Sequence, residues 1–224
     1  MSGKGSPRKP QPKNQPNHHI AQILVDHDIV KTNFTTPFQW ASGILSPIYC
    51  DCRELMSIPE ARDIIIENFL ETIEEKNLPT DVIAGTATAG IPWASFVAQV
   101  LNVPLLYVRS KAKDHGAGKM VEGRGGQNQN ILVIEDAIST AGSSIQSAEA
   151  LRKELGATVK HVLAIFSWDT PQSHANGKEA QLTLHPLTDF GEIVETLLEA
   201  GKITPDEKDS LERFHVNPEE WKIS

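Results

Sequence analysis

The run Ile131-Leu132-Val133-Ile134, followed at once by Glu135-Asp136 and then by Ala137-Ile138-Ser139-Thr140-Ala141-Gly142-Ser143-Ser144, constrains the chain more than any other segment. Four consecutive apolar residues suit a central strand of a parallel sheet, covered on both faces. Ligands in open α/β sheets gather at the carboxyl ends of such strands, and Glu135 and Asp136 fall at that end. Two adjacent carboxylates accept hydrogen bonds from a vicinal diol. The amides from about 139 to 144, opening a helix, hold a dianionic phosphate. A diol and a phosphate together describe a pentose 5-phosphate. A strand, an acidic turn and serine caps can also stand without a ligand, but that reading leaves two neighbouring carboxylates at a sheet end without a role.

The same alternation extends along the chain. Strands are predicted at 81–85, 104–108, 130–135 and 158–168, with helices at 90–101 and 143–155. This is βαβ wiring and implies a mainly parallel central sheet flanked by helices. Ala180 to Leu184 reads as a further strand. Helices follow at about 189–200 and 205–213, the first ended by Gly201 and the second begun by Thr204-Pro205. Upstream, Pro59 and Glu60 start a helix that runs to about Lys76, and Ser46 to Arg53 reads as a strand. The spacing of Ile20, Ile23, Leu24, His27, Ile29 and Val30 marks a first helix. Residues 1–19 form a tail; Met1 to Asn17 contains no acidic residue, is rich in Pro, Lys, Gln, Asn and Gly, and is expected to be disordered. Residues 20–224 are expected to make one domain, with a small N-terminal hood (about 20–58) folded back over a core (about 59–224).

Composition removes several function classes. The chain has 224 residues, of which 39% are hydrophobic, enough for one sizeable core, and no apolar run approaches the ~20 residues of a membrane span. The first nineteen residues lack the apolar stretch of a signal peptide, so a cytoplasmic location is expected. A net charge of −8 argues against nucleic acid as a partner. Cys50 and Cys52 are read as diverging to opposite faces, without a disulfide, and two thiols lacking further companions cannot complete a zinc shell.

Two more loops carry chemistry. In Arg109-Ser110-Lys111-Ala112-Lys113-Asp114-His115-Gly116-Ala117-Gly118-Lys119 and on through Gly126, glycines and cations alternate with neither a helical nor a strand period. That reads as a long mobile loop suited to closing over anions. Asp81 to Pro92 is an apolar strand breaking into Thr86-Ala87-Thr88-Ala89-Gly90, small residues that let the backbone approach a ligand before a helix begins.

The 131–144 segment resembles the 5-phosphoribosyl 1-diphosphate (PRPP) motif of the type I phosphoribosyltransferases. Arg109, Lys113, His115 and Gly116 are similar to the catalytic loop of the orotate phosphoribosyltransferases within that group. Phe38-Gln39-Trp40-Ala41-Ser42-Gly43 and Ser46-Pro47-Ile48-Tyr49-Cys50-Asp51-Cys52-Arg53 are similar to their substrate hood, and the likeness covers about residues 20 to 220. It implies a type I phosphoribosyltransferase fold and transfer of ribose 5-phosphate from PRPP to orotate in pyrimidine biosynthesis. It also implies Mg²⁺ held mainly through substrate and water, and a homodimer whose active sites are shared between subunits. By the same resemblance Lys113, His115 and Asp136 are catalytic. Arg109, Lys113, His115, Glu135, Asp136, Ala137, Ile138, Ser139, Thr140, Ala141, Gly142 and Ser143 bind PRPP, Ser139 meets the orotate ring, and Thr86, Ala87, Thr88, Ala89 and Gly90 form the diphosphate loop. Three positions depart from the pattern: Ala41 and Ala89 stand where many members carry lysine, and the residues around Thr170 lack the expected arginine. A phosphoribosyltransferase for another base, or a PRPP-sensing regulator, remains as an alternative, although a regulator would need a DNA-binding module for which the tail is too short.

Overall fold

Between Pro59 and Ser167 the expected helices and strands follow in the expected order, with one further two-residue strand at Val121–Glu122. The structure, a computed structural model, describes residues 18–39, 43–111 and 118–222. In chain order the elements are α1 (His18–Asp26), β1 (Val30–Thr32), β2 (Phe38–Gln39), β3 (Leu45–Ser46), β4 (Ile48–Cys50), α2 (Pro59–Glu75), β5 (Val82–Thr86), α3 (Gly90–Leu101), β6 (Leu105–Val108) and β7 (Val121–Glu122). They continue with β8 (Ile131–Ile138), α4 (Gly142–Leu155), β9 (His161–Ser167), α5 (Pro171–Glu179), β10 (Thr183–Asp189), α6 (Phe190–Glu199) and α7 (Pro205–Val216).

Six strands form one sheet in the order β10-β9-β8-β5-β6-β7. All neighbours are parallel except β7, which runs antiparallel to β6. The apolar runs are buried because helices cover both faces. Along β8, Leu132 and Ile134 enter one core cluster with Trp93, Ile165 and Phe69, whereas Ile131 and Val133 enter the other with Leu106, Ala148 and Leu151, as the two-residue period of a strand requires. Helix ends follow local chemistry. Asn102 closes α3 and Gly156 closes α4, both in the left-handed conformation (φ 53° and 63°), and Thr204 with Glu207 makes a capping box at the start of α7. No helix among the described residues is long and apolar enough to cross a membrane.

Several expectations need correction. The first helix begins at His18 and stops at Asp26, because Asp28 turns left-handed (φ 53°) and Val30 opens β1; Ile29 and Val30 are buried but not helical. The expected strand over 46–53 is split at Pro47, and its last residues turn into a short 3-10 helix at Glu54–Ser57. The expected strand over 180–184 lies later, at Thr183–Asp189, because α5 occupies the chain through Glu179. Pro186 is tolerated there because β10 is an edge strand. The long basic loop is shorter than expected: Val121 and Glu122 pair with β6, and Glu154 on α4 accepts from the amides of Met120 (2.8 Å) and Val121 (3.3 Å). Finally, Cys50 and Cys52 do not diverge. Residues i and i+2 of extended chain share a face, and the two Sγ atoms lie 3.7 Å apart as free thiols.

Candidate active site

The parallel strands β8, β5 and β6 are neighbours, so the three segments singled out in the sequence emerge side by side at one edge of the sheet. Asp136 and Glu135 belong to the last half of β8, which runs three residues further than expected. Glu135 is 4% exposed and Oε2 accepts from Ser143 Oγ at 2.9 Å, so the helix that follows locks the carboxylate in place. Burial, reinforced by the neighbouring Asp136 charge, pushes the Glu135 carboxyl up to about 8 despite the Ser143 hydrogen bond. Burial also raises Asp136. Two neighbouring carboxylates, one of them buried, favour holding a proton between them at neutral pH.

The turn after β8 carries Ser139 and Thr140 outward and brings Ala141 into the left-handed region (φ 65°) to start α4. Gly142 and Ser143 are exposed in the first turn, where helical N–H groups lack intrahelical acceptors, and Ser144 Oγ is buried without a partner among the described residues. The turn is fastened from outside: Thr170 Oγ1 donates to the Ser139 carbonyl (3.0 Å) and Asn176 Nδ2 to that of Thr140 (2.8 Å). Ala137 packs against one core cluster and Ile138 enters the other, which anchors the strand end.

One strand over, β5 ends at Thr86, whose Oγ1 lies 3.1 Å from Ser147 Oγ on α4, both buried. Ala87 N donates to the Val108 carbonyl (2.8 Å), Thr88 is exposed, and Ala89 precedes an α3 N-terminus without a side-chain cap. The glycine at position 90 is sterically required: a Cβ there would stand 2.4 Å from the Ile134 carbonyl oxygen. Helix α3 therefore crosses β8 in near contact just before the carboxylates, which brings the two helix starts together. Arg109 leaves β6 with Nη1 3.6 Å from Glu122 Oε1, its side chain half-exposed. Lys113 and His115, and likewise Trp40, Ala41 and Ser42, lie outside the described residues.

The structure thus brings together Glu135, Asp136, the 137–143 turn and the 86–90 loop, with Arg109 on the adjoining strand. Sequence reasoning missed the supports. Thr170 caps α5 and Asn176 lies within it; only Thr170-Pro171, a cap followed by proline, gave a signal for this helix. Ser147, which meets Thr86, gave none.

Residues 52–182 match the phosphoribosyl transferase domain family. An orotate phosphoribosyltransferase from Enterococcus faecalis is 47% identical over 90% of this chain and 96% of its own length. In three dimensions the chain resembles the orotate phosphoribosyltransferase of Aeropyrum pernix, with a TM-score of 0.71 and 26% identity over 83% of this chain and 99% of that one. A UMP synthase from Leishmania donovani shares the fold (TM-score 0.73, 22% identity, 88% of this chain), and the chain spans 42% of that protein's length. A paired-carboxylate strand end in a fold of this topology, and near half of all residues identical across nine-tenths of the chain, lead to one assignment: the chain belongs to the orotate phosphoribosyltransferases, with the type I phosphoribosyltransferase fold.

Proposed function

We infer that the chain transfers the 5-phosphoribosyl group of PRPP to a ring nitrogen of orotate, releasing diphosphate and forming orotidine 5′-monophosphate in pyrimidine biosynthesis. The observation that carries this reading is the Glu135–Asp136 pair towards the end of β8, Glu135 buried and held by Ser143, beside two helix N-termini. Breaking the anomeric C–O bond develops positive charge on the ribose and negative charge on the leaving diphosphate. The carboxylates accept from the ribose hydroxyls and set negative potential beside the developing cation. Binding of those hydroxyls favours the charged form and releases the shared proton. The 139–143 turn receives the 5′-phosphate and the 86–90 loop the diphosphate, and Arg109 stabilises the departing charge. Lys113 and His115 join Arg109 in that role through the motif that carries them, and Ser139 is placed to meet the acceptor ring.

Mg²⁺ supplies charge neutralisation of the diphosphate when bound. The described residues hold no group of three or more His, Cys, Asp or Glu that could ligate a metal. Two hard carboxylates alone suit an ion that keeps its waters and substrate oxygens. We also propose that residues 20–58 serve as the hood over the site, that the enzyme works in the cytoplasm, and that it acts as a homodimer with shared sites. Leu105 and Tyr107, on one face of β6 where the loop of Arg109 departs, are both 37% exposed, which supports burial against a second copy.

The test is orotate absorbance after addition of PRPP and Mg²⁺, with uracil, hypoxanthine and adenine as alternative acceptors. Consumption of orotate alone is expected. Preference for another base would move the chain to a different phosphoribosyltransferase specificity, and PRPP binding without turnover of any base would favour a regulator.

A further inference from the structure

We propose that Arg53 is the specificity residue of this enzyme, its guanidinium pairing with the exocyclic carboxylate of the acceptor base. This rests on the reading of orotate as acceptor and deepens it. Orotate differs from uracil by that carboxylate, so selecting it requires a fixed cation near a site otherwise dominated by Glu135, Asp136 and the substrate phosphates. The residues after β9 do not provide one: Thr170 commits its hydroxyl to the Ser139 carbonyl, and Asp169 is itself acidic, pairing with His174 at 2.7 Å.

Arg53 has the placement and the orientation. It follows Cys52, which is 1% exposed and whose thiol is pushed up by its contact with Cys50, by burial and by the charge of Asp136, so residues 52–53 lie beside the strand end that carries the carboxylates. Its Nε donates to Asp51 Oδ1 and its Nη2 to Asp51 Oδ2, each at 2.6 Å, and Nη2 also reaches the Tyr49 hydroxyl at 3.2 Å. One edge of the fork is therefore held rigidly. The other end, Nη1, has no hydrogen bond to a described residue, and the side chain is 56% exposed. The Tyr49 ring lies 5.6 Å from that of Phe38, an aromatic flank beside the guanidinium suited to a flat heterocycle. Arg53 and Asp136 sense each other's charge, Arg53 opposing the rise that burial imposes on Asp136. An ion pair between near neighbours on the surface contributes little to stability. With Nε and Nη2 committed to Asp51 and Tyr49, the guanidinium plane is fixed and Nη1 is left with two N–H donors to offer an incoming carboxylate.

Steady-state kinetics on Arg53→Gln, Arg53→Lys and Asp51→Asn, with PRPP binding followed by calorimetry, test this. Arg53→Gln is expected to raise the orotate KM about 10- to 100-fold, the loss of a charge-assisted contact. It should narrow the preference for orotate over uracil by the same factor and leave the PRPP Kd within about twofold. Arg53→Lys, which keeps the charge and guards against a folding defect in the glutamine variant, should recover part of the loss, and Asp51→Asn should give an intermediate one by loosening the fork. An Arg53→Gln enzyme whose orotate KM stays within twofold of a wild type active on orotate overturns the proposal. So does a loss of PRPP affinity equal to that for orotate, which would assign Arg53 to the donor or to the hood. A wild type that binds PRPP but consumes no orotate is a separate result, and it removes the acceptor reading and this proposal with it.

Discussion

Replacing Glu135 by glutamine separates what the residue does for the ligand from what it does to the fold. The side chain is 4% exposed, with one oxygen held by Ser143 Oγ at 2.9 Å and the other 3.4 Å from the Asp136 amide. Burial raises its carboxyl from 4.5 in the unfolded chain to about 8, so it is mostly protonated at pH 7. The folded state then binds more protons than the unfolded state between those two values. The stability this group contributes is complete below pH 4.5 and is lost as pH rises through 8. For that interval the linkage relation gives a loss of roughly 2–3 kcal/mol from pH 5 to pH 7 and about 1 kcal/mol more by pH 9. Glutamine keeps the shape, accepts from Ser143 and does not titrate. Urea unfolding of the ligand-free proteins at pH 5, 7 and 9 should therefore show Glu135→Gln gaining on the wild type by about those amounts. Its turnover should fall about 10-fold or more, because an amide presents one acceptor oxygen where the diol needs a charged pair. A stability difference that stays constant from pH 5 to pH 9 would mean that Glu135 is ionised in the free protein and would refute the shared-proton argument.

Gly90→Ala places a methyl 2.4 Å from the Ile134 carbonyl oxygen and should lower stability by about 1–3 kcal/mol; calorimetry showing an unchanged Tm would mean that the α3–β8 contact yields easily. Lys113→Ala and Asp136→Asn proteins, each expected to lose about 10²-fold in turnover, test the shared site when dissociated and reassociated together. Random pairing makes half the dimers mixed, each with one intact composite site in two, so activity should return to about a quarter of wild type. Reassociation confirmed by native mass spectrometry without recovered activity would place the loop in its own subunit's site.

The difference between what was legible in the sequence and what was not follows the range of the interactions involved. β5, β8 and β9 were readable because a strand covered on both faces must be apolar at every position, and α3 and α4 because the small residues that open them also set their boundaries. α5 escaped because its inward positions are Ser173 and Gly177; a helix that packs through small residues leaves no apolar stripe to count. β7 escaped because two residues hardly form a pattern, and what fixes them is Glu154, more than thirty positions away on α4. The site divides along the same line. Glu135, Asp136 and the serine turn announce their chemistry by adjacency. The proton they share depends on burial by elements far along the chain, and the orientation of Arg53 depends on an ion pair with Asp51 whose purpose is invisible until residues 52–53 are seen beside the end of β8. Residues that touch the sugar and phosphate must sit in a contiguous turn, since one helix start has to supply several amides at once, whereas an acceptor base needs only isolated contacts that any nearby segment can supply. The ribose-phosphate part of such a site is therefore written locally, and the acceptor part has to be found in three dimensions.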